Sequence, residues 1–236
     1  MASGTLYLIP SPLAEGSVEA VLPAGTLSIM RSLEFFIVEE IRTARRFLIK
    51  AGIERPIDGL NFQVFNEHSN EDEVQEYLEP ALIGHNIGLL SEAGVPCVAD
   101  PGSMIVKMAH EAGIRVVPLT GPSSILLALM ASGFNGQNFS FLGYLPADKI
   151  LRVKKIREIE KNVMERDQTQ IFIETPYRNL QLFESLVKSC RSDTQLCLAT
   201  DVSGINESIR SGSMDFWRNR KPDIHKRPTI FLLYHL

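Results

Sequence analysis

Asn86-Ile87-Gly88-Leu89-Leu90-Ser91-Glu92-Ala93-Gly94-Val95-Pro96-Cys97-Val98-Ala99-Asp100-Pro101-Gly102 is the stretch whose reading decides the fold. Its first part, Ile87 to Leu90, is a short apolar run of the kind buried on both faces of a parallel sheet. The remainder holds glycine, proline, small residues and two carboxylates, the composition of a backbone-rich loop. Small side chains let the main chain approach a small molecule and offer it N–H and C=O groups. Glu92 or Asp100 adds a single charged contact. The same residues also satisfy a tight strand-to-helix connection, because Asp100-Pro101-Gly102 makes a turn and helix entry ahead of Ile105, Met108, Ala109 and Ala112.

Outward from this stretch, strands and helices alternate. Thr5 to Ile9 reads as a first strand, stopped by Pro10-Ser11-Pro12 because proline cannot donate to a central ladder. Phe35 to Val38 repeats the strand pattern. Glu39 to Lys50 reads as a helix with Ile41, Ala44 and Leu48 on one stripe and Gly52 closing it. After a short run at Phe62 to Phe65, a helix is predicted from Asn70, with Val74, Tyr77, Leu78, Ala81 and Leu82 at helical spacing and Glu71, Asp72 and Glu73 in its first turn. Downstream come the Ile105 helix, a strand at Arg115 to Pro118, and a helix from Ile125 to Ala131 entered through Thr120-Gly121-Pro122-Ser123-Ser124. Hydroxyls at a helix N-terminus cap it, and Ser123 and Ser124 could equally hold a carboxylate or ribose hydroxyl there. The alternation predicts an α/β fold with right-handed crossovers and a mostly parallel N-terminal sheet flanked by helices.

Around Leu145-Pro146-Ala147 the composition changes to a long charged helix, Asp148 to Arg166. We place a domain boundary there, giving an N-terminal α/β domain over 1–145 and a C-terminal mixed α/β domain over 146–236. The second is expected to hold strands at Gln170 to Ile173, Leu196 to Thr200, Glu207 to Arg210 and Thr229 to Tyr234, with a helix from Tyr177 to Lys188.

The charge of −4 conceals an asymmetry: residues 1–148 carry 8 Lys and Arg against 17 Asp and Glu, residues 149–236 carry 16 against 11. Basic residues gather at Lys149, Arg152, Lys154, Lys155, Arg157 and Lys161, and again at Arg210, Arg218, Arg220, Lys221, Lys226 and Arg227, where RNA or another polyanion could lie. Glu158, Glu160 and Glu165 interleave with the first cluster, so a solvated helix face with ion pairs one turn apart explains most of it individually. Cys97, Cys190 and Cys197 show no paired spacing, which indicates neither a disulfide framework nor a zinc cluster. His68 and His85 are isolated, without metal-ligand spacing. The N-terminus lacks a basic leader and no apolar run approaches the roughly 18 residues a membrane span needs; a cytoplasmic protein with no membrane partner is expected. Neither GxGxxG nor GxxxxGK[ST] occurs.

Four segments carry a resemblance. Ser91-Glu92-Ala93-Gly94-Val95-Pro96-Cys97-Val98-Ala99-Asp100-Pro101-Gly102 resembles S-D-A-G-T-P-x-I-S-D-P-G, and Gly121-Pro122-Ser123-Ser124 resembles G-P-S-A. Phe141-Leu142-Gly143-Tyr144-Leu145-Pro146 resembles F-x-G-F-L-P, and Ile173-Glu174-Thr175-Pro176-Tyr177-Arg178 resembles Y-E-S-P-H-R. All four belong, in this order, to the tetrapyrrole methylase superfamily of S-adenosylmethionine-dependent methyltransferases, within it to the 16S ribosomal RNA cytidine 2′-O-methyltransferases. The resemblance implies a homodimer of two-domain chains, S-adenosyl-L-methionine as cofactor in a cleft between the domains, and ribosomal RNA of the 30S subunit as partner. It implies that Ser91, Glu92, Ala93 and Gly94 line the cofactor with Ser123 and Ser124 alongside, and that Ile173, Glu174, Pro228 and Thr229 close over it. A porphyrinoid acceptor, or a relative that binds cofactor without turnover, are the alternatives.

Departures from the pattern fall on charged positions. T-P-I-G-N-L-x-D is replaced by Ser11-Pro12-Leu13-Ala14-Glu15-Gly16, E-D-T-R by Glu39-Glu40-Ile41-Arg42, and R-E-L-T-K by Thr200-Asp201-Val202-Ser203-Gly204, which drops two cations where a phosphate backbone is expected. Methyl transfer from a sulfonium is an in-line displacement, so the protein has to align the acceptor and exclude water. A ribose hydroxyl benefits from a base or a cation nearby. The candidates are Glu39 and Glu40 as base and Arg42 as orienting cation, with Glu174 at the domain junction; a helix N-terminus bearing favourable acids accounts for the first three without catalysis. Arg178 either meets a phosphate or pairs with Glu174.

Overall fold

In the computed structural model, which describes residues 3–66, 69 and 74–235, the first nine elements alternate as β1 (Thr5–Ile9), α1 (Ala24–Ser32), β2 (Phe35–Val38), α2 (Ile41–Lys50), β3 (Asn61–Val64), α3 (Val74–Leu82), β4 (Ile87–Leu90), α4 (Ser103–Glu111) and β5 (Arg115–Pro118). The five strands form one wholly parallel sheet in the order β3-β2-β4-β1-β5. The apolar run Ile87 to Leu90 is its central strand, buried at every position.

Side chains alternate across that sheet and divide the core in two. Ile9, Phe36, Val38 and Leu90 face one layer with Leu27 and Met30 of α1 and Ala44 and Leu48 of α2. Leu6, Ile37, Ile87 and Leu89 face the other, with Leu78 and Ala81 of α3 and Ile105 and Ala109 of α4. At Gly88 a Cβ would stand 2.5 Å from Ile9 Cδ1 and 3.0 Å from Leu33 Cδ1, so the missing side chain makes room for its neighbours in the first layer.

Local signals explain where elements begin. α2 starts at Ile41, two residues later than predicted, because Glu40 is its N-cap: the carboxylate accepts from the N–H groups of Arg42 and Thr43. Helix α1 has no counterpart in the sequence reading, since Gly25 and Thr26 are weak helix formers and only Thr26, Leu27 and Met30 are buried. The acidic turn at 71–73, the start at Asn70 and His68 lie outside the described residues. Of the stripe on α3, Leu78 and Ala81 are buried but Leu82 is 53% exposed.

The chain divides between Ser123 and Ser124 into two compact units, about twenty residues ahead of the change in composition. The intervening residues belong to the second architecture. Helix α5 (Ser124–Ser132) packs on β9 (Ser208–Ser213) and β10 (Thr229–Tyr234), and β6 (Phe139–Tyr144) pairs in parallel with β7 (Thr169–Ile173). α6 (Lys149–Arg166), α7 (Asn179–Ser189), β8 (Gln195–Thr200) and α8 (Met214–Arg218) complete the unit. Its sheet is mixed, ordered β6-β7-β10-β8-β9, with every pairing but the first antiparallel.

Ile156, Ile159 and Val163 of α6 and Leu182 and Leu186 of α7 cover Phe172, Leu196, Leu198 and Phe231. Phe172 and Phe231 are cross-strand partners with rings stacked at 5.9 Å. α8, which the sequence reading missed, is one turn capped by Ser213; it buries Trp217, whose indole N–H donates to Leu196 O at 2.9 Å. Among the described residues no helix is long and apolar enough to cross a membrane.

Candidate active site

In the first sheet the connections leaving β1 and β2 run toward the β3 edge, while the one leaving β4 runs to the opposite edge at β5. A parallel sheet whose adjacent connections diverge leaves a crevice outside the C-terminal strand ends. Those ends carry Ser11–Glu15 after β1, Glu39 and Glu40 after β2, and Ser91–Gly102 after β4.

The first and third of these loops are tied together. Ser11 and Gly94 form a reciprocal bridge, Ser11 N–H to Gly94 O at 2.8 Å and Gly94 N–H to Ser11 O at 3.0 Å. The Ser11 hydroxyl donates to Ser91 O at 2.6 Å and that of Ser91 to Ala93 O at 3.3 Å. Gly94 sits at φ +76°, where a Cβ would come within 3.1 Å of Leu13 Cδ2 and 3.5 Å of Pro122 O. Both its main-chain polar groups are used in the bridge, so Gly94 offers a ligand an absent side chain rather than a free N–H. Farther along, Cys97 and Ala99 hold φ of +67° and +58°, a conformation that costs a non-glycine residue free energy and persists where the surroundings enforce it. The Asp100 carboxylate accepts from Gly102 N–H at 2.7 Å, turning the chain into α4.

Four carboxylates, Glu39, Glu40, Glu92 and Asp100, converge at these strand ends. Glu39 accepts from the N–H of Glu92, and Glu92 accepts from the N–H of Glu40, so each strand end holds the other's acid. Burial, the Asp100 charge and the hydrogen bond shared with Asp100 together push Glu39 up to about 7. Partial burial and the Glu40 charge raise Glu92. Glu40 behaves in the opposite way: the Thr43 hydroxyl and the two α2 N–H groups hold it below the usual carboxylate range. Of the two sequence candidates for a base, Glu39 titrates near neutrality, whereas Glu40 is committed to capping. Arg42 is exposed on the first turn of α2.

A cavity of about 520 Å³ opens alongside, lined by Ser11–Glu15, by Thr43, Arg46, Phe47 and Lys50 of α2, and by Ser91, Glu92 and Ala93. The α2 wall was missed from sequence. Its signal was Thr43, Arg46, Phe47 and Lys50 recurring on one helix face opposite the apolar stripe. The Cys97 thiol, pushed up to about 11 by burial and the Asp100 charge, is no nucleophile at neutral pH.

In the second unit, the Glu174 side chain is fully buried. Its Oε1 accepts from Thr175 N–H at 2.7 Å and from Arg178 Nε and Nη2 at 3.0 and 2.7 Å. Oε2, equally buried, has no partner among the described residues, an open acceptor that a ligand donor or water can satisfy. Of the two roles open to Arg178, it takes the pairing with Glu174. Ile173 ends β7 opposite Ile230, and Thr229 bonds Thr200 through their hydroxyls at 3.2 Å, next to Pro228, whose carbonyl accepts from Asp201 N–H. Ser124 opens α5 in this unit, and Ser123 is the last residue of the first.

No family model matches the sequence. Several curated proteins that share about 30% of its residues carry one name. It is 34% identical over 211 residues to ribosomal RNA small subunit methyltransferase I of Bacillus subtilis, covering 89% of this chain and 68% of that one. It is 32% identical to the protein of that name from Xylella fastidiosa, covering 89% and 73%, and 30% identical over 233 residues to that from Vibrio cholerae, covering 98% and 76%. Among solved structures, the methyltransferase CobJ superposes with a TM-score of 0.65 at 18% identity, covering 99% of this chain and 95% of that one. The cobalt precorrin-4 methyltransferase CbiF gives 0.62 at 11%, covering 98% and 94%. The structural matches establish the tetrapyrrole-methylase fold.

Proposed function

Because the chain belongs to the family of ribosomal RNA small subunit methyltransferase I, and is thus a methyltransferase, we propose that it methylates a ribose 2′-hydroxyl of small-subunit ribosomal RNA with S-adenosyl-L-methionine as donor. The observation that carries the reading is the acid cluster at the C-terminal strand ends, with Glu39 poised near neutrality beside a strained, glycine-containing loop.

The donor supplies a methyl group made electrophilic by its sulfonium. Ser91, Glu92, Ala93, Gly94 and Ser123 suit it: small residues, a Cβ-free approach at Gly94 and one carboxylate match a ligand that is zwitterionic and carries a further positive charge. Glu39, once ionised, takes the proton from the acceptor hydroxyl, and the N–H of Glu92 fixes its orientation. Asp100, through its charge and the hydrogen bond it shares with Glu39, raises the Glu39 carboxyl toward neutrality. Arg42, exposed on the first turn of α2, orients the RNA phosphate. Glu40 contributes by fixing the start of α2.

Calorimetric titration with S-adenosylmethionine is the first test. Binding by the wild type and none by a folded Gly94→Trp places the donor at this loop; a Gly94→Trp protein that binds as well as the wild type removes it from there. Methyl incorporation into 30S subunits lacking the native modification then tests the acceptor, and donor binding without incorporation would sink the RNA reading.

A homodimer is part of the same reading. It is supported by large apolar side chains left in solvent, with Met130 of α5 78% and Tyr144 of the edge strand β6 59% exposed; light scattering at two protein concentrations checks it. A ribosomal substrate also makes the cytoplasm its site of action.

A further inference from the structure

The second unit holds a pocket of its own, about 320 Å³ in volume, that the methyl-transfer chemistry leaves unused. Its floor is built by register. Leu198 and Thr200 of β8 lie opposite Arg210 and Ser208 of β9, so all four project from one face of the sheet. Its wall is α8 and the following loop, from Trp217 through Arg220, Lys221 and Asp223 to Arg227.

The four cations here are not equivalent. Arg227 is consumed internally: its Nε meets Asp201 Oδ2 at 2.8 Å, its Nη1 meets Asp223 Oδ2 at 2.8 Å, and Nη2 donates to Asn206 O. That clamp also engages Asp223, the pocket's own carboxylate. Arg210, Arg220 and Lys221 have no ion pair among the described residues. Arg210 and Arg220 lie over the Phe216 ring, at 4.7 and 3.9 Å from its centroid, and Arg220 also donates to Phe216 O at 3.0 Å. Stacking on an aromatic ring and a hydrogen bond to a carbonyl hold a guanidinium in place without neutralising it. Two pre-positioned forks, a free ammonium and the Thr200 and Ser208 hydroxyls thus surround one concavity.

We infer that this pocket docks the phosphate backbone of the RNA substrate; the inference rests on the RNA reading above. Fixed guanidinium groups with hydroxyls beside them match phosphate oxygens and 2′-hydroxyls. The same pocket answers the cations missing from Thr200–Gly204: the backbone contact is supplied from β9 and the α8 loop instead.

Fluorescence anisotropy of a labelled 16S ribosomal RNA fragment, titrated with the full chain across a series of KCl concentrations, tests this. In Arg210→Gln/Arg220→Gln the plot of log K against log salt should lose about 0.7–0.9 of slope for each phosphate contact removed. Lys221→Gln, at a residue with no ion pair among the described residues, should lose a single such step. S-adenosylmethionine binding should be unchanged in all variants, which separates docking from folding and from the donor site. Wild-type slope and affinity in Lys221→Gln and in the double variant overturn the assignment while leaving the RNA reading intact; a wild type that binds neither the fragment nor 30S subunits overturns both. Capture of polyglutamate that the same substitutions abolish, with RNA binding untouched, would assign the pocket to an acidic protein and also overturn it.

Discussion

Glu39 links stability to pH in a direction opposite to most carboxylates. Its pKa rises from 4.5 in the unfolded chain to about 7 in the fold, so the folded state holds a proton that the unfolded state has released between those values. Its contribution is fully present below about 4.5 and is lost as pH climbs through 7. Glu39→Gln, which keeps the shape and removes the charge, should therefore raise the melting temperature relative to wild type at pH 8 and leave the two alike at pH 4. Activity should move the other way: wild-type kcat/KM rises with pH through about 7, and in Glu39→Gln that inflection disappears and the rate falls roughly 10²–10⁴-fold. Glu174 makes a different case. Removing the Arg178 guanidinium leaves a fully buried carboxylate with only one N–H partner, so Arg178→Ala should cost about 3 kcal/mol in urea unfolding. At this scale the chain's chemistry was partly legible. Glu39 and Glu40 are adjacent acids with indistinguishable sequence credentials, and only their folded surroundings separate them: burial and the Asp100 charge around Glu39, the Thr43 hydroxyl and two α2 N–H groups around Glu40.

Elements were easier to read than their ends. β1, β2, β4 and β10 announce themselves as apolar runs, and α6 as a long charged helix, because burial and periodicity act over many residues. α1 and α8 are held by tertiary packing of Leu27, Met30 and Trp217, which no local pattern encodes. Composition changes where α6 begins, whereas β6 already pairs in the second sheet and α5 packs on it, so the compositional boundary and the division into compact units fall at different residues. Caps carry the starts of helices. Asp148 accepts from the N–H groups of Ile150 and Leu151, both at 2.9 Å, so Asp148→Ala should cost about 1 kcal/mol, read as a shift of the urea midpoint at unchanged slope. The cavity wall on α2 was hidden because Arg46 and Lys50 look like any solvated helix face until the Ser11–Glu15 loop is folded across them.

At the scale of the molecule, each unit has a core of its own, and damage to one is expected to stay there. Gly121 is the place to apply it, since a Cβ there would stand 2.2 Å from Pro10 Cγ, in a ring that cannot swing away. Gly121→Ala should destabilise the first unit by roughly 1–3 kcal/mol. The protein contains one tryptophan, and it is Trp217, sealed under the second sheet. Its emission is therefore a private signal of the second unit, silent about the first, while far-ultraviolet circular dichroism hears both. In Gly121→Ala the dichroism transition should split or move to lower urea with the fluorescence midpoint held within error; a fluorescence midpoint that moves in step would show that the two cores melt as one. The same indole gives RNA docking a direct optical readout, because it lines the pocket where Arg210 and Arg220 wait, whereas donor binding at Ser91–Gly94 has no native chromophore of this kind and needs calorimetry.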